Sequence, residues 1–375
     1  MLKLIPAILL IYLSYSFPER GNKLVNQQSE VDQLTVDGPY VMYRGRQVFV
    51  SFIDKENGIR SVRTESFRNT DRGKIRLIVP TDEPGKTFTV KLHEKQDDEP
   101  SEYSGKHKIF ALSDIEGNFR AFRKLLQANH IIDNDFNWTF GKGHLVLTGD
   151  FFDRGHEVTQ VLWLIYMLED KARKEGGYVH FILGNHEVMN LSGDIRYVHP
   201  DYIYNAGLMK ERYVELYGTR SELGRWLRTK NITEKIGDFL FAHGGISGKV
   251  NALDISVNKI NKIARPYYDD STYQYPDIKT ELMFSVVGPF WYRGYYMGKR
   301  SENEITSKLD STLEIYKVKH IVTGHTVIAD TISVLNGGKL INTDVHHAGG
   351  HSEALLVEDG KFYRVDGLGQ KFRIY

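Results

Sequence analysis

Residues 144–155 read HLVLTGDFFDRG: a short strand-like run, then a loop in which Gly149 and Gly155 bracket Asp150, Asp153 and Arg154. The same plan recurs on both sides. Upstream, KIFALS (108–113) runs into Asp114-Ile115-Glu116-Gly117-Asn118. Downstream, YVHFILG (178–184) runs into Asn185-His186-Glu187, while FLFAH (239–243) and HIVTGH (320–325) deliver His243 and His325 beside glycines. Between them, FRAFRKLLQAN (119–129) and EVTQVLWLIYMLEDKARKEG (157–176) space apolar residues at helical period. Strands alternating with helices predict an α/β architecture with helices covering a sheet. Such sheets hold ligands beyond the carboxyl ends of their strands, which is where all five loops fall.

Each loop carries residues able to meet a metal or a phosphate, and each admits a plainer reading. Asp114 and Glu116 are two apart, so they project from one face if the strand continues; two carboxylates that close repel unless a cation sits between them. They also suit an ordinary helix amino-terminal turn. Arg154 offers a fixed fork of donors for phosphate oxygens, or a surface pair with Asp153 that contributes little. Asn185 supplies a neutral carbonyl oxygen and His186 a proton near neutral pH. His243 and His325 each follow an apolar strand and lie beside glycine, which suits a core histidine poorly. Convergence of all five on one cleft is the stronger signal.

The chain has 375 residues, enough for two to three domains at about 150 residues each. Its 49 Lys and Arg against 48 Asp and Glu leave a net charge of +1, which argues against a dedicated nucleic-acid binder. With 12% aromatic residues it is no disordered polyampholyte. The absence of cysteine excludes disulfides, thiolate zinc sites, iron–sulfur clusters and cysteine nucleophiles. Metal chemistry here must use Asp, Glu, His and Asn.

Residues 1–16 are expected to be a signal peptide. Lys3 precedes the apolar run 4–17 (LIPAILLIYLSYSF), with Ser14 and Ser16 spaced for cleavage. The run is shorter than the ~20 residues of a spanning helix, and none of that length follows. A soluble exported protein, periplasmic or extracellular and without stable membrane insertion of the mature chain, is the expectation; the alternatives are an uncleaved anchor or a buried first helix. Residues 36–93 contain YVMYRGRQVFVSFI, KIRLIVP and KTFTVKL, separated by NG, DRG and PG turns, and predict a small all-β domain without clustered acid and histidine. The charged stretch 94–105 is expected as a linker, and 106–375 as the second domain.

Taken in order, Asp114-x-Glu116, Gly149-Asp150-x-x-Asp153-Arg154-Gly155, Gly184-Asn185-His186-Glu187, His243-Gly244-Gly245 and Gly324-His325-Thr326 resemble the calcineurin-like metallophosphoesterases. More narrowly, they are similar to the phosphoprotein phosphatases and the Shewanella-like protein phosphatases. The stretches Gly193–Val198 (GDIRYV) and Gly288–Gly294 (GPFWYRG) support the narrower likeness. It covers about Lys106 to the carboxyl terminus. The resemblance implies a β-sandwich flanked by helices, here preceded by the small all-β module, and two divalent metal ions. It implies Asp114 and Glu116 on the first metal, Asp150 bridging, and Asn185, His243 and His325 on the second. His186 would be the general acid, oriented by Asp153, with Arg154, Arg293 and Asn185 on the phosphate.

One position departs from the pattern: Glu116 stands where the family has histidine. A carboxylate still ligates, but it makes the first site harder and more anionic, which favours Mn, Fe or Mg over Zn there. The run TDVHHAGGH, which follows the strand-like KLIN, contains Asp344, His346, His347 and His351; it is expected to line the cleft, in rim or hydrogen-bonding duty rather than direct ligation. Arg196 and Tyr197 read equally as substrate contacts or as a structural pair. Tyr267, Tyr268, Tyr273 and Tyr275 fall on a long segment between the fourth and fifth loops. The implied activity is a phosphatase acting on phosphorylated proteins. Small phosphate monoesters or dinucleoside polyphosphates are the enzymatic alternative, and a binding protein impaired through Glu116 is the other.

Overall fold

The computed structural model describes residues 35–297 and 302–375. The apolar run at 4–17 lies outside the described residues. Among them no helix is long and apolar enough to cross a membrane.

Three ten-residue strands, β1 (Thr35–Arg44), β2 (Gln47–Glu56) and β3 (Ile59–Arg68), form an antiparallel sheet, and β4 (Arg76–Pro80) pairs with β5 (Thr87–Lys91) as a hairpin. The rest is two sheets of six strands. The first holds β7 (Ile109–Leu112), β8 (His144–Thr148) and β9 (Tyr178–Ile182) in parallel, extended by β15 (Glu353–Glu358), β16 (Lys361–Asp366) and β17 (Lys371–Arg373). The second is ordered β13 (Ser333–Leu335), β14 (Leu340–Asn342), β12 (His320–Thr323), β11 (Phe239–Ala242), β10 (Thr233–Ile236) and β6 (Glu102–Tyr103).

Strand alternation shows why the sheets face each other. Ile109, Ala111 and Val146 join Phe239, Phe241 and Val322 in one buried cluster between the sheets. Their neighbours Phe110, Leu112, Leu145 and Leu147 turn the other way, into the cluster beneath the helices. A strand buried on both faces reads as a continuous apolar run, as these do. The helices are α1 (Phe119–Ala128), α2 (Val158–Lys174), α3 (Asn185–Ser192), α4 (Pro200–Leu208), α5 (Glu222–Arg228), α6 (Gly248–Asn251), α7 (Val257–Ala264), α8 (Ile278–Phe284) and α9 (Glu302–Tyr316). α2 is apolar nearly all round because it is covered on nearly all sides: Leu162, Trp163, Ile165 and Leu168 are fully buried. Each such side chain contributes about 1.5–3 kcal/mol.

The amino-terminal strands do not keep a separate core. Val48, Val50, Leu77 and Val90 belong to the same buried cluster as Phe122 and Trp163. Two buried carboxylates lock the contact. Asp37 accepts from Tyr40, Thr159 and Asn205 at 2.6, 2.9 and 2.7 Å. Glu222 on α5 accepts from Tyr43, from Tyr166 at 2.6 Å, from Gln96 at 2.7 Å and from Arg72 at 2.8 Å. The stretch 94–105, expected as a linker, is laid along this body. Lys230 Nζ reaches Glu99 at 2.9 Å, and Glu102 and Tyr103 pair in parallel with Lys235 and Ile236. Its charges hid this in the sequence, because Lys230 on Glu99 and Arg265 on Asp98 are more than 100 residues away.

Candidate active site

All five loops gather at the carboxyl ends of their strands, and hydrogen bonds between neighbouring loops of each sheet, with one contact across the two sheets, fix their spacing. Asp114 N donates to Gly149 O at 2.9 Å, Gly324 N to His243 O at 2.9 Å, and Ser113 Oγ lies 3.0 Å from Thr343 Oγ1. The result is a cavity of about 300 Å³ lined by Asp114, Glu116, Asp150, Arg154, Asn185, His186, Arg293, His325 and Asp344, with Val345–Ala348 along one side.

The loops turn sharply to do this. Asp114, Glu116, Asp150, Asp153, Arg154 and His325 all take φ between 50° and 69°. Each costs of order 1–3 kcal/mol, a strain that clusters at functional sites. The first loop therefore does not continue its strand: β7 ends at Leu112, and the expected one-face projection of Asp114 and Glu116 gives way to a left-handed turn. Gly149, at φ +85°, passes so close to the third loop that a Cβ would lie 2.6 Å from Gly184 Cα.

Asp150 is the hub. Its Oδ1 accepts His186 N from the first turn of α3 at 2.9 Å; its Oδ2 lies 3.0 Å from His243 Nε2 and 3.8 Å from His186 Nε2. Burial alone would raise its carboxyl, but His243 and then His186 outweigh it and hold the group below the usual carboxylate range. His243 Nε2 also lies 3.1 Å from Asn185 Oδ1, and its Nδ1 donates to Thr148 O at 2.7 Å. The backbone behind the hub is tied by Glu187, whose buried carboxylate accepts from Asp150 N, Phe151 N and Gly184 N at 2.9, 2.7 and 2.6 Å. The Gly184 bond is the reach of an N3 glutamate back to the N-cap.

His186 Nδ1 lies 2.6 Å from Asp153 Oδ2, and Asp153 Oδ1 accepts from Asn190 at 2.8 Å. Burial works against a proton on His186, but Asp150 and then Asp153 outweigh it, so its value is raised. The ring is thus oriented by Asp153, with Nε2 facing Asp150 Oδ2. Arg154 does not point alone at the cavity: it is ion-paired with Glu116 and lies over the Tyr197 ring at 5.7 Å. Arg293 bonds the His325 carbonyl and Thr326 Oγ1 at 3.1 Å.

The donor set fits divalent metals. Donor atoms of Asp150, His243 and His325 all lie within 4.8 Å of one another. His325 Nε2 is buried without a hydrogen-bond partner, and burial, with His243, pushes the ring down to about 2, leaving it neutral. Asp114 is raised well above the usual range by burial, then by Asp344 and Asp150. Asp344 is pushed up to about 6, by burial first, with Asp150 adding to the rise. Buried carboxylates that force one another to hold protons are relieved by a cation.

Asp344 lines the cavity among the candidate ligands. The TDVHHAGGH run splits: Asp344 enters the cavity, His347 Nε2 meets Ser113 O at 3.1 Å, His346 pairs with Asp330 and His351 with Glu353. Its position after the strand-like KLIN was the available signal. Glu187, Asn190 and Tyr213, which donates to Asn190 Oδ1 at 2.6 Å, were missed; only Glu187 carried a cue, as the N3 acid of α3. Arg196 is held on Asp194 at the surface. All four tyrosines line a neighbouring hollow of about 280 Å³, Tyr268 while donating to Lys230 O at 3.0 Å.

Residues 107–329 match the family Calcineurin-like phosphoesterase, and the chain belongs to that family of metal-dependent phosphoesterases. The cold-active protein-tyrosine phosphatase of a psychrophilic Shewanella is similar in structure, with TM-score 0.81 and 37% identity, covering 90% of this chain and 99% of that one. In sequence the chain is 29% identical to Shewanella-like protein phosphatase 1 of Plasmodium berghei, over 58% of this chain and 61% of the relative. It is 32% identical to an uncharacterized protein of Schizosaccharomyces pombe, over 58% of this chain and 66% of the relative. The match thus spans just under two thirds of those two curated relatives.

Proposed function

We propose that this chain is a dinuclear metal-dependent phosphatase that hydrolyses phosphate monoesters on phosphorylated proteins. One observation carries it: one cavity is lined by Asp150 and His325 of the Asp150–His243–His325 donor cluster, by His186 with Asp153 bonded behind it, and by Arg154 and Arg293. The likeness to a Shewanella protein-tyrosine phosphatase supports a phosphoprotein as substrate.

In this reading Asp114, Glu116 and Asp150 hold one metal, and Asp150, Asn185, His243 and His325 the other, with Asp344 adding negative charge on the first side. Bound there, the ions would neutralise phosphoryl oxygens and acidify an attacking water. The remaining work belongs to the chain. Arg154, Arg293 and the Asn185 amide bind and orient the phosphate, placing donors where equatorial charge develops. Asp153 keeps Nδ1–H of His186 pointed at itself, so that Nε2–H donates to the leaving oxygen. General acid catalysis of this kind contributes about 10²–10⁴-fold. The carboxylate-rich first site suits Mn, Fe or Mg better than Zn. We further propose that the 4–17 run directs export to the periplasm or beyond the cell.

The test is to prepare the protein with added Mn, count metals per chain, and compare phosphoserine, phosphothreonine and phosphotyrosine peptides with nucleotides and small phosphoesters. Two metals per chain and preferential peptide turnover are expected. No metal-dependent hydrolysis of any phosphoester overturns the proposal; preference for dinucleoside polyphosphates overturns its substrate.

A further inference from the structure

On the outer side of the rim that carries Arg154 lie three metal-competent side chains that the cavity does not use. His156 leaves the second loop just after Gly155, His199 is the N-cap of α4, and Asp201 sits in that helix's first turn. Their donor atoms all lie within 4.8 Å of one another. Asp201 Oδ2 is 3.9 Å from His156 Nδ1 and 3.9 Å from His199 Nδ1, and the two ring centroids are 3.9 Å apart. None of the three lines the catalytic cavity.

Two imidazoles and a carboxylate form a three-ligand zinc set, with water completing four-coordination. Donors held at 2.0–2.2 Å on tetrahedral zinc are about 3.3 Å apart, so each Asp201–histidine separation must contract by roughly half an ångström and His199 Nδ1 must turn from Asp201 N, whose bond it accepts at 3.2 Å, toward the metal. The His156 side chain is 67% exposed, so little packing opposes that swing. Asp201 arrives ionised: a 2.7 Å bond from Arg60, first among the causes, holds it below the usual carboxylate range. We infer that His156, His199 and Asp201 form a third divalent-metal site, of zinc type and separate from the catalytic pair.

The site has a structural consequence. Arg154 N donates to Tyr197 O at 3.0 Å, and each histidine lies two residues beyond one partner of that bond. A metal there ties together, from outside, the two segments that this bond joins at the cavity mouth. Through Asp201 and Arg60 it also touches β3 of the amino-terminal sheet.

The test counts metals rather than turnover. Protein saturated with Mn is exposed to low-micromolar zinc, freed of unbound metal by gel filtration and analysed for total metal per chain. Wild type is compared with His156→Ala and with His199→Ser, since serine preserves an N-cap acceptor. Melting curves establish that both variants fold. One more metal in the wild type than in either variant, with at least tenfold weaker zinc binding in both and unchanged Mn-supported hydrolysis, is expected. Equal metal counts in all three, or an additional zinc bound only at millimolar concentration, overturn the inference. The difference is read whether or not the catalytic pair behaves as proposed.

Discussion

Replacing Asp153 by Asn should sort substrates by their leaving groups. Asp153 and His186 are both buried, their Oδ2 and Nδ1 are 2.6 Å apart, and Asn190 already donates to the other oxygen. Asparagine fills the same volume, but it removes the charge and must turn a donor toward one of two groups that already donate. A hydrogen bond to a charged group contributes about 1.5–3 kcal/mol. At a factor of ten per 1.4 kcal/mol, turnover through protonated His186 should fall roughly 10- to 150-fold. The loss should appear on a phosphoserine peptide, whose alkoxide needs a proton, and nearly vanish on p-nitrophenyl phosphate, whose leaving group departs without one. The pH profile adds a sign. Because the folded value of His186 is raised, its proton is fully present below the ordinary value near 6.5 and is lost as pH climbs through the raised one. The alkaline limb of D153N should therefore shift toward lower pH. The assay is kcat for both substrates across the neutral range, with metals counted in each preparation. Equal losses on the two substrates at unchanged metal content, or no loss on the peptide, would refute the role given to the pair.

Three further outcomes follow from the geometry. Asp344→Asn removes a charge that raises Asp114: the metal-free protein should melt higher and the increment gained on adding Mn should shrink, both read by calorimetry, and an unchanged increment speaks against Asp344 serving the metals. Glu116→Ala should weaken retention of one metal about tenfold, a usual scale for perturbing a metal site, while freeing Arg154; metal content and rate both unchanged would leave Glu116 only the task of holding Arg154. Gly149→Ala sets a Cβ 2.6 Å from Gly184 Cα at φ +85° and should cost about 2–4 kcal/mol in denaturant unfolding; a loss under about 1 kcal/mol means that the loops are looser than the structure has them.

Much of the site was legible because its residues are short-range signals. KIFALS, HLVLT and YVHFI are mostly apolar since both faces of their strands are covered, and the residues immediately after such strands have few places to go. That put Asp114, Asp150, Asn185, His186, His243 and His325 on one edge before any distance was known. The partners of those residues were not legible. Glu116 and Arg154 are 38 positions apart and find each other only once two loops both turn left-handed.

By itself the order of residues determined the alternation of strand and helix, the five loops, and the restriction of metal chemistry to oxygen and nitrogen donors, because each follows from local periodicity or residue type. Only the tertiary structure decided that the amino-terminal strands share a core with α2, that residues 94–105 are stitched down, and that Asp344 turns into the cavity while His351 pairs with Glu353 outside it. It also decided which charges raise or lower one another. Those outcomes depend on through-space distances between side chains far apart in the chain, and a one-dimensional pattern carries no record of them until burial strips the water from between the groups.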